Sequence, residues 1–85
     1  MNISLFWSSV IGEIESLKSC SAIDAVERIH KLIKSVDHRL SVEVGDDSGI
    51  RVVIISANGY RELVPTVEEI LSCSPTASGL RFKAF

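Results

Sequence analysis

Three kinds of chemistry, metal ligation, nucleophilic attack and anion binding, are open to groupings of side chains in this 85-residue chain by type and spacing. Glu27-Arg28-Ile29-His30 sets a carboxylate and an imidazole one helical turn apart, the spacing by which one helix of a di-iron bundle supplies two metal ligands. Such a centre needs a second Glu-x-x-His and further carboxylates. The other histidine, His38, follows Asp37 and forms no second copy, so a solvated helix face accounts for the pair. Asp46 and Asp47 offer oxygens to a hard cation, but the series of oxygen ligands and the distal Glu of a calcium loop are missing. They read as turn formers, and no metal is expected.

A cysteine nucleophile needs a histidine partner and an electropositive setting. Cys73 falls in the last turn of an expected helix, and the carbonyl end of a helix disfavours a thiolate. Cys20 and Cys73 form no CxxC pair, and both are expected as buried reduced thiols. Thirteen serines include no Gly-x-Ser-x-Gly elbow. With no nucleophile and no acid and base in a paired arrangement, no catalytic residue is assigned and no cofactor is expected; the chain leans away from an enzyme, with a small-anion-binding or enzymatic fragment centred on the turn from Ser56 to Arg61 as the alternative.

The third grouping is the turn Ser56-Ala57-Asn58-Gly59-Tyr60-Arg61, between an expected strand and an expected helix. Free N–H groups at such a helix start can hold a small anion, with Asn58, Gly59 and Arg61 as the candidate ligand-binding residues. No Gly-rich loop with a Lys is present, so a nucleotide is not implied. The favoured role is structural: Gly59 supplies a positive φ and Asn58 caps the turn. Arg28, Lys31 and Lys34 form a basic stripe, to which Arg51, Arg81 and Lys83 add charge. Yet nine basic against eleven acidic side chains leave 9 − 11 = −2, and the few aromatics suggest no stacking platform, so no nucleic acid is expected.

The elements that must position these groups follow from hydrophobic period. Ile3, Trp7, Val10, Ile14 and Leu17 recur at a 4-3-4-3 spacing that predicts a helix over 3–18, its stripe widened by Phe6 and Ile11. Ser21 followed by Asp24 reads as an N-cap, and Ala22, Val26, Ile29, Ile33 and Val36 predict a second helix over 22–37. The period then drops to two. Leu40, Val42 and Val44 predict a strand over 40–45, and the loop Gly45 to Gly49 leads into a second strand over 50–57, apolar on both faces and so central. Leu63, Val67, Ile70 and Leu71 predict a helix over 62–73, with Pro65 in its first turn and Ser74-Pro75 after its end. Leu80, Phe82 and Ala84 predict a final strand over 80–85.

The order ααββαβ places the chain in the α+β class as one domain over 1–85. An antiparallel hairpin and a right-handed β-α-β unit would share a mixed three-stranded sheet packed against helices. The last strand would lie at an open edge, where another strand can add.

A strand ending Ile55-Ser56-Ala57-Asn58-Gly59, a helix carrying Pro65 and Val67-Glu68, a helix end at Ser74-Pro75 and a strand closing on Ala84-Phe85 resemble a domain of uncharacterised bacterial proteins. The early Phe6-Trp7 pair resembles the start of the same proteins. The likeness covers most of the chain and rests on turn formers and core positions, so it implies a fold and no activity. Proteins of that kind continue past the strand equivalent to 80–85, which would make this chain a short member or the N-terminal part of a longer domain.

An apolar content of 46% and a mean hydropathy of +0.29 are high for so short a chain, which must keep much of its surface wet. The uncharged start of the chain lacks a basic leader, and no uncharged run reaches the ~18 residues of a membrane span, so a cytoplasmic protein is expected, with no membrane partner. These features point to a small non-catalytic interaction or regulatory module whose partner is a second copy of itself, as a homo-oligomer, or another protein. Ile3, Phe6, Trp7, Val10 and Ile14 are the candidate interface residues, with burial under the domain's own sheet as their competing fate.

Overall fold

The computed structural model describes residues 2–85. Asn2 caps the first helix, α1 (Ile3–Gly12), by accepting a hydrogen bond from the Leu5 amide at 2.8 Å. The helical pattern expected over 3–18 is broken at Gly12-Glu13, where glycine's poor helix propensity meets a non-helical Glu13, and resumes as α2 (Ile14–Ser19). Ser21 caps α3 (Ala22–Lys34) through the Asp24 amide at 3.1 Å, as the sequence implied. This helix stops three residues short of Asp37. Lys34 donates to the His38 carbonyl at 2.6 Å, and the Asp37 carboxylate turns the chain by accepting from the Arg39 amide at 2.9 Å.

The sheet has the order β1-β2-β3. β1 (Ser41–Asp47) and β2 (Ile50–Ser56) form an antiparallel hairpin, and β3 (Leu80–Ala84) lies parallel to β2 on its other side. The loop expected over Gly45 to Gly49 tightens to Ser48-Gly49 alone, both residues at positive φ (52° and 86°). That is the geometry of a two-residue turn whose twist matches the strands it joins, so Gly45, Asp46 and Asp47 remain in the ladder. Between β2 and β3 the chain passes through a single 3-10 turn at Arg61–Leu63 and then α4 (Val64–Ser72), with Pro65 near its start. The fold is α+β with a mixed three-stranded sheet.

Register sorts the sheet residues onto two faces. Val42, Val44, Val53, Ile55, Leu80 and Phe82 share the face that joins the helices in one core. Phe6, Trp7, Val10, Leu17, Ala25, Ile29, Ile33, Val67 and Ile70 enter the same core from the helical layer. Trp7 is its hub: its rings sit 4.8 Å edge-on from Phe6 and 4.8 Å edge-on from Phe82, and its indole N–H donates to the Ile70 carbonyl at 2.8 Å. Three candidate interface residues are therefore corrected: Phe6, Trp7 and Val10 are buried in the chain's own core, because the stripe of α1 packs inward. Ile3 and Ile14 are half-buried against it.

Candidate functional site

Both surfaces that could meet another molecule are positioned by the ends and faces of β2. At its carboxyl end, Asn58 (φ 55°) and Gly59 (φ 85°) form a tight turn closed by the Tyr60 amide donating to the Ala57 carbonyl at 3.0 Å. The Asn58 amide donates to Ser56 Oγ at 3.0 Å, so two of the turn's N–H groups are engaged within the chain. Gly59 does supply the positive φ that the sequence implied. The turn runs into the three-residue 3-10 segment Arg61–Leu63 and not directly into a long helix. Asn58, Gly59 and Arg61 do line one shallow cup of about 280 Å³, together with Tyr60, Val64 and Phe85. Its apolar walls and a single cation at its rim offer little to a small anion.

Arg39 holds this region from behind. Its guanidinium bonds the Asp37 carboxylate at 2.9 Å, reaches Glu62 at 3.3 Å and lies 5.5 Å from the Tyr60 ring centre. The hydrogen bonds from the Arg39 side chain and then its amide lower the Asp37 carboxyl from 3.8 to about 2. Sequence reasoning missed this cluster, because Asp37-His38-Arg39 reads as an ordinary polar helix end.

The other surface is the second face of the sheet. There Ile50, Val52 and Ile54 run down the middle, outside the core that the helices share. Register places them in cross-strand rows: Asp47 beside Ile50, Gly45 and Arg81 on either side of Val52, and Glu43 and Lys83 on either side of Ile54. Among the described residues no helix lies over these rows. Arg81 reaches diagonally across β2 to Asp47 at 3.5 Å, and Val52 beneath is only 6% exposed. Glu43 and Lys83 are exposed, and among the described residues neither side chain has an ion pair or hydrogen bond. The face is polarised, with Glu43 and Asp47 on the β1 side and Arg81 and Lys83 on the β3 side.

The remaining sequence candidates are dispersed. Arg28 pairs with Asp24 at 3.1 Å and with Glu13 at 3.8 Å, so the basic stripe is partly neutralised. Arg51 leaves the surface: it projects into the helical layer, where one guanidinium nitrogen donates to the Leu17 and Cys20 carbonyls, each at 2.7 Å. Glu27 is exposed, while His30 is half-buried with an Nε2 that has no hydrogen-bond partner. Among the described residues no three His, Cys, Asp or Glu side chains gather. Both cysteines are free; Cys20 is half-buried, but Cys73 is exposed, a correction to its expected burial, because the last turn of α4 faces outward there. Among the described residues no helix is long and apolar enough to cross a membrane. Compared with known proteins, the chain matches no family model, no curated protein sequence and no solved structure.

Proposed function

We propose that this chain is a small non-catalytic interaction module that self-associates through the face of its sheet left bare by the helices. The observation that supports the reading is the row Ile50, Val52 and Ile54 on a face with no helix above it. A sheet covered on one side only ordinarily alternates apolar inward and polar outward, whereas β2 is apolar on both sides. Val52 is already covered by the chain's own side chains, so the area left to bury is that of the half-buried Ile50 and Ile54, at ~25 cal/mol for each Å² of apolar area removed from water. The two free thiols, one of them exposed, suit a reducing compartment and hence a cytoplasmic setting.

The test is the mass of the intact chain by sedimentation velocity, over roughly 5 to 500 µM. The reading expects the weight-average mass to rise above 9.3 kDa with concentration. A mass of 9.3 kDa at every concentration overturns it.

A further inference from the structure

The charge pattern of the bare face says how two copies would meet. We infer that the partner is a second copy of this chain, stacked face to face about a two-fold axis parallel to the strands, so that Glu43 of each copy meets Lys83 of the other. This rests on the self-association reading proposed above and goes beyond it by fixing the arrangement.

Symmetry limits how two such faces can meet. A two-fold axis running along the strands between two stacked sheets exchanges left and right, so β1 of one copy lies over β3 of the other. The acidic side of the face, Glu43 and Asp47, then meets the basic side, Arg81 and Lys83, and Ile54 meets Ile54 between them. A two-fold axis lying across the strands puts β1 over β1 and β3 over β3, acid on acid and base on base. Edge-to-edge pairing of two β1 strands likewise brings Glu43, Asp46 and Asp47 of both copies together, and pairing of two β3 strands brings together Arg81 and Lys83. Of these symmetric arrangements, only the first pairs opposite charges. It also gives partners to Glu43 and Lys83, which are exposed and unpaired within the described chain.

Size sets the strength. Three strands ~4.8 Å apart and about five residues long at ~3.3 Å each present a footprint of roughly 14 by 17 Å. That is far below the ~800 Å² per partner of a standard interface, so a weak dimer is expected.

The experiment uses the charge reversals Glu43→Lys and Lys83→Glu, alone, mixed, and combined in one chain, read by sedimentation velocity, with a thermal melt of each variant to establish folding. Each single reversal replaces two attractions by two repulsions and is expected to weaken dimerisation about tenfold. The equimolar mixture of the two variants and the chain carrying both reversals are expected to recover wild-type association. In an arrangement with β1 on β1, Glu43→Lys sets a lysine among the partner's acids and does not weaken association. Wild-type association with no loss in the single variants, or no recovery in the double variant, overturns this arrangement and leaves the self-association reading standing. Growth beyond a dimer does the same, since it marks open-ended edge pairing. A wild-type chain that stays monomeric defeats both.

Discussion

Asp37 and Arg39 show how one pair of residues ties stability to pH. The folded chain holds the Asp37 carboxyl at about 2, against an ordinary 3.8, because the Arg39 side chain and amide both donate to its ionised form. A carboxyl that binds its proton less readily when folded stabilises the fold at every pH above about 4. That contribution fades as the pH falls through the window between 3.8 and about 2. Asp37→Asn keeps an acceptor for the turn but removes the charge. Its urea midpoint is expected to lie below wild type at pH 6 and to converge on it by about pH 2. A gap that persists unchanged at acid pH would mean that the loss is one of shape and not of ionisation. The pair was not singled out in the sequence because Asp37-His38-Arg39 reads as an ordinary polar helix end, and hydrophobic period carries no information about which polar side chains meet there or about the further contacts of Arg39 with Glu62 and Tyr60. Ser21 was legible because a serine with an acid three residues on is a local helix-start signal.

At the scale of elements, the boundaries moved wherever a local backbone preference competed with the apolar stripe. Gly12 divides a stripe that looks continuous, and the positive φ values of Ser48 and Gly49 keep three residues in β1 that their turn-forming types suggested were loop. The element that most misled was β2. Its Arg51 reads as one more surface cation, yet alternation puts it on the core face, where no apolar neighbour occupies its place. There it donates to the Leu17 and Cys20 carbonyls at the end of α2, and its charge suits that helix terminus. Arg51 thereby fastens the α2–α3 junction to the central strand. Arg51→Met keeps the stem and removes the donors. It is expected to cost about 2 to 3 kcal/mol in urea unfolding, the scale of hydrogen bonds to a charged group, with backbone protection against exchange falling first around Leu17 to Cys20. A loss near zero would show that water serves those carbonyls equally well.

For the whole molecule, the 46% apolar content divides between two destinations. Most of it enters the single core between helices and sheet, including Phe6, Trp7 and Val10, whose regular spacing identified the helix but could not say which way its stripe faced. The rest lies on the far face of β2 and at scattered exposed positions such as Ile23 and Phe85, 74% and 88% exposed. The mixed topology was legible because period two, period 3.6 and the turn residues agreed along the whole chain. The bare face was not, since a strand apolar on both sides reads equally well as one enclosed between two layers. Interaction through that face is the central claim, and concentration-dependent NMR shifts of the uniformly labelled wild-type chain test it residue by residue. Between about 10 and 500 µM, the amides of Glu43, Val52, Ile54, Arg81 and Lys83 are expected to move together while those of α3 and α4 stay still. Shifts gathered instead around Ile23 and Val26, or around Tyr60, Val64 and Phe85, would contradict the account.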